Sequence, residues 1–167
     1  GDTGKISFDF FAQCKSLWKT TSANRTVHLT IFAISWLWFI GAVILTQIPL
    51  IAKFVLGGTA DFSTTLTMFF VAGIALGALV CIKVSRGEIE LGLIPIGAMG
   101  MSIFGIHFSY LDFSLAQLGT QTIFDYFLNP AHPVQAWILV DLLGVGFSAS
   151  FFIIPLNALL QSRSDAK

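Results

Sequence analysis

Apolar and polar positions alternate in long blocks along this chain, with four apolar runs separated by short polar breaks. The first run, Val27 to Ala52 (VHLTIFAISWLWFIGAVILTQIPLIA), holds no ionisable residue except His28. As a helix it would be about 39 Å long, more than the roughly 30 Å of a bilayer's hydrocarbon core. It is apolar on every side, so lipid is its natural solvent. It is therefore predicted to span a membrane, and as the longest uninterrupted run it is expected to be the piece around which the others gather. Further spans are predicted at 62–82, 89–108 and 134–160, so the fold class expected is all-α integral membrane, with a bundle over 27–160.

The breaks carry turn chemistry. Gly57-Gly58 with Asp61 closes the first loop, and KVSRGEIE (83–90) forms a charged hairpin turning at Gly87. Pro49 is expected to bend the first span, and Gly73 with Gly77 places a small-xxx-small pair on one face of the second. Gly92, Gly97, Gly100, Gly105 and Pro95 predict bends and close crossings in the third. In the leading segment, 1–26, Phe10, Phe11, Cys14, Leu17 and Trp18 share a helical face, which suggests a helix lying in the membrane interface or docked on the bundle. Ile123, Phe124, Phe127 and Leu128 suggest a second such helix within the 109–133 connection.

Composition agrees with lipid as solvent. The chain is 55% hydrophobic and 11% charged, with a mean hydropathy of +0.82, whereas soluble domains carry about 25% charged residues. A net charge of zero argues against a nucleic-acid partner. The distribution says more than the sum. Of the 9 Lys and Arg, only Lys53 falls outside the 1–26 segment, the 83–90 hairpin and the 161–167 tail. The positive-inside rule then places both ends in the cytoplasm. Cys14 and Cys81 show neither metal spacing nor a disulfide framework. The chain begins at Gly1 with no signal-peptide pattern, so a fragment is expected.

No catalytic motif is present, and the reading is of a non-enzyme with no cofactor or metal. His107 and His132, near Asp112, read as interfacial or loop histidines. Polar groups at membrane depth are the informative ones. Asp141 lies about seven residues into the fourth span, roughly 10 Å below its end. A carboxylate there either marks a substrate or proton path, or sits close enough to the interface to be hydrated or paired with His107. Gln47 and Asn157 either line a cavity or bond across helices. Trp36 and Trp38 sit deep in the first span, as lipid-facing bulk or as buried indoles with a partner. These five, Asp141, Gln47, Trp36, Trp38 and Asn157, are the candidate substrate-binding residues.

The runs at 24–58 (NRTVHLTIFAISWLWFIGAVILTQIPLIAKFVLGG), 88–106 (EIELGLIPIGAMGMSIFGI) and 151–164 (FFIIPLNALLQSRS) resemble the second half of a major facilitator superfamily transporter, in its lysophospholipid-transporter branch. The resemblance covers nearly the whole chain and implies helices seven to ten of twelve, preceded by the central cytoplasmic linker. It implies a protein of the bacterial inner membrane that moves lysophospholipid for re-acylation. Its partners would be membrane lipid, the remaining helices and, in some fusions, an acyltransferase and an acyl-ligase. The hairpin at 83–88 is a degenerate form of that superfamily's basic gating loop. Two other readings are open: a facilitator for another small solute or drug, and a membrane anchor or scaffold for a lipid acyltransferase.

Overall fold

The computed structural model describes residue 15, residues 24–116, residue 127 and residues 133–164. The helix expected in the 1–26 segment and the one expected around Ile123–Leu128 therefore lie almost wholly outside the described residues. Four long α-helices form among the described residues: α1 (Arg25–Leu50), α2 (Ala60–Ser85), α3 (Leu93–Tyr110) and α4 (Pro133–Ser164). All four are long and apolar enough to cross a membrane. They run up and down in turn. One apolar cluster joins Ala52, Leu56, Phe62, Leu66 and Ile138 at one end, and another joins Cys81, Leu93 and Phe151 at the other.

Local chemistry sets the helix ends. Asn24 caps α1, its Oδ1 accepting from the Thr26 and Val27 N–H groups at 3.1 and 3.4 Å. Pro49 has no N–H to give the α-helical ladder, and a π-helical turn, Ile51–Val55, follows directly. Arg86 (φ 50°) and Gly87 (φ 84°) are both left-handed and reverse the chain after α2. α3 starts at Leu93, later than the apolar pattern suggests, because Glu88–Leu91 turn outside the helix and Gly92 caps it. Pro95 accordingly sits in the first turn of α3, where its missing N–H costs no ladder bond. Hydroxyls on α2 are satisfied internally: Thr64, Thr65 and Thr67 each donate to the carbonyl four residues back.

The centre of the assembly is α4, which corrects the expectation that the first span organises the rest. α2 and α3 both pack along α4, while α1 touches it more lightly. The α2–α4 seam is built from small residues in both directions. A Cβ on Gly73 or Gly77 would strike the carbonyls of Leu143 or Phe147, and one on Gly146 would strike that of Phe70. The small-xxx-small pair in α2 thus lies buried against the α4 backbone. Ser150 fastens the same seam by donating to the Ile74 carbonyl at 2.7 Å. On the other flank of α4, Gly97 and Gly100 of α3 meet Ser148 and Phe152. Lipid tails are as apolar as the side chains they would replace, so close van der Waals contact and such hydrogen bonds hold these helices together.

Candidate functional site

Because α1 rests lightly on the bundle, a crevice runs along it. Three cavities share Ile44 of α1 and Val145 of α4 as common walls. The first, about 220 Å³, opens on the α2 side, between Trp38, Leu45, Phe70 and Ile74. The second, about 400 Å³, opens on the α3 side, between Trp36, Leu37, Met101 and Ser102. The third, about 230 Å³, lies toward the C-terminal end of α1 and is lined by Gln47, Ile48, Gly105, Phe108, Asp141 and Leu142. The walls are mostly apolar; Ser150 and Ser102 lie in the first and second cavities, and the carboxylate of Asp141 and the amide of Gln47 in the third.

Asp141 is the focus of that cavity. It is buried to 1% exposure within α4, yet its carboxylate is matched: His107 Nδ1 on α3 lies 2.9 and 2.8 Å from the two oxygens. A buried, unpaired carboxylate would be severely destabilising, and this pairing offsets much of that cost. The His107 side chain remains 47% exposed. Trp137, one helical turn before Asp141, places its indole edge-on to the imidazole with centroids 5.3 Å apart. Nearby, the Asp112 carboxylate is turned away onto its own turn, accepting from Ser114 N–H and Oγ.

The structure brings four of the five candidate residues to the crevice. Asp141 and Gln47 line one cavity together, while Trp36 and Trp38 each wall another. Both indoles are more than half exposed, at 56% and 68%, so they face outward as well as into the crevice. Asn157 is different: it lines none of these cavities and lies sixteen residues along α4 from Asp141, about 24 Å away. Sequence reading offered His107 both as an interfacial or loop histidine and as a partner for Asp141, and the structure pairs the two; it missed Trp137. The available signal for Trp137 was its spacing of four from Asp141 on a helix. Ile44 and Val145, shared by all three cavities, carry no chemical signature that a sequence could betray. No group of three or more His, Cys, Asp or Glu side chains that could hold a metal ion is found among the described residues.

No family model matches the chain, and no solved structure matches it. The lysophospholipid transporter LplT of Cronobacter sakazakii is 29% identical to it over 161 residues, covering 96% of this chain and 34% of that protein. The chain thus spans about a third of the length of this curated relative. Together with four apolar helices of membrane-crossing length, the likeness indicates a multi-pass membrane protein distantly related to a transporter.

Proposed function

We propose that this chain is part of a secondary transporter that moves lysophospholipid across the bacterial inner membrane for re-acylation, with the crevice along α1 as part of the lipid path. The observation that carries the reading is the chemistry of the crevice. Long apolar walls suit an acyl chain, and one end holds a single carboxylate and an amide, Asp141 and Gln47, for a polar headgroup. A sugar site would need hydrogen-bonding side chains throughout. The resemblance to the major facilitator superfamily supports the same reading, with α1 to α4 as helices seven to ten and alternating access against a first half. The basic flanks orient both ends of the chain to the cytoplasm, so the His107–Asp141 end faces outward. The remaining helices of the transporter would complete the path, and a fused acyltransferase would consume its cargo.

The test is lysolipid flipping by the full-length protein in vesicles. Asp141→Ala is expected to slow flipping about tenfold or more, the effect of losing one hydrogen bond to a charged group, worth roughly 1.5–3 kcal/mol. Expression should stay normal. Normal flipping by the variant would remove Asp141 from the site, and absence of lysolipid flipping in the parent would remove the function. Flipping that is competed away by an unrelated solute would favour a broader facilitator.

A further inference from the structure

We propose that the apolar cluster at the outer end of the bundle is a lid over the third cavity, and that the buried amide of Gln135 sets how readily it opens. Cluster and cavity share a wall. Ile48 and Leu142 line the cavity and also belong to the cluster of Ala52, Leu56, Phe62 and Ile138, four residues with no exposure at all. The cluster thus closes the cavity toward the outer end of α1. Gln135 stands on the cluster's side of α4, since residues 135, 138 and 142 are spaced at i, i+3 and i+7. It is buried to 3% exposure, yet its Oε1 accepts a hydrogen bond from no described residue. Nor does it line any of the three crevice cavities. An acceptor left unmatched in an apolar setting has given up its bonds to water for nothing, and only the closed lid carries that cost. Opening the lid hydrates Oε1 and removes it.

The α1 side of the lid has the means to move. Ala52 lies within the π-helical turn Ile51–Val55, and Leu56 follows it directly. The Leu56 N–H donates to the Ile51 carbonyl at 2.9 Å, and the Gly58 N–H to the Ala52 carbonyl at 2.7 Å. A π-turn holds one residue more than an α-turn. Return to the α register rotates the next residue by about 100° around the helix axis, which carries Leu56 out of the cluster. Gly57, at φ 71°, supplies a joint just beyond it that needs no Cβ. On the far side of that joint α2 begins at Thr59 without a side-chain cap, so its first turn is held by backbone bonds and by Phe62 in the cluster. Tight packing therefore favours the closed lid, the orphaned amide opposes it, and the two terms act on the same few residues.

The lid's part in transport rests on the transporter reading, whereas its opening can be measured without cargo. The experiment compares the full-length protein with Gln135→Met, which keeps the length of the side chain and removes the orphaned acceptor, and with Gln135→Leu as a second apolar variant. Three quantities are read: the unfolding midpoint, hydrogen exchange in nanodiscs over residues 51–63, and lysolipid flipping in vesicles. Both variants should unfold at a higher temperature. Exchange over 51–63 should slow about tenfold, as expected for relief of one unmatched polar group, with the rest of the bundle unchanged. Flipping should slow by a similar factor, so that a more stable protein is a poorer transporter. A lowered midpoint in both variants would mean that Oε1 has a partner, and overturns the inference. So does exchange over 51–63 that is unchanged, or slowed equally along all four helices. Slower exchange with unaltered flipping overturns the lid as a step of transport. If the parent flips no lysolipid, the transporter reading falls, and exchange alone decides whether the lid opens.

Discussion

The spans of α1 and α4 have nearly the same mean hydropathy, 2.1 and 2.0, yet 6% of the most apolar stretch of the first is buried in the protein against 50% of the second. Side-chain size separates them. α1 carries Phe32, Trp36, Trp38 and Phe39, all more than half exposed, whereas α4 presents Gly144, Gly146, Ser148 and Ser150, all buried. Large side chains hold a neighbouring backbone away, and small ones let it approach to contact distance. Hydropathy measures how strongly a helix avoids water and is silent on whether lipid or protein replaces the water. Three cavities lie between the looser helix and α4, so the same difference that makes α4 the scaffold leaves α1 beside a space that cargo can fill.

That contrast can be broken most forcefully on the α4 side. Gly77→Leu would drive a branched side chain into the Phe147 backbone and should cost about 3 kcal/mol, near the upper end for overpacking, read as a lowered unfolding midpoint in detergent. Ser150→Ala removes only the bond to the Ile74 carbonyl, and about 0.6 kcal/mol is expected, as for hydrogen bonds between membrane helices. Trp38→Leu on α1 should change stability by less than about 0.5 kcal/mol because the indole is 68% exposed. If Trp38→Leu destabilised the protein as much as Gly77→Leu, α1 would be as firmly packed as α4 and the contrast would fail.

Much of the fold was legible in the sequence, for identifiable reasons. The four spans follow from the apolar runs, and the close packing of α2, though not its partner, from the spacing of Gly73 and Gly77. The start of α3 was less so: Ile89 and Leu91 extend the apolar pattern, but Glu88, Glu90 and Gly92 decide the turn. The choice of hub was misread because an apolar face toward lipid and one toward protein use the same residues, although the run of glycine and serine in α4 held the answer. At the site, pairing with His107 was one of the fates the sequence left open to Asp141. That Gln47 meets Asp141 while Asn157 does not depends on how α1 lies across α4. No local pattern encodes that crossing.

The measurement closest to the central claim is photolabelling of the full-length protein in vesicles with a lysophospholipid carrying a diazirine in its acyl chain. Label should concentrate on the residues walling the crevice, such as Leu37, Ile44, Met101 and Val145, and excess unlabelled lysolipid should compete it away. Label spread evenly over every exposed helix face, or gathered on the Ser63–Ala75 face of α2 and indifferent to competitor, would contradict the crevice as the lipid path.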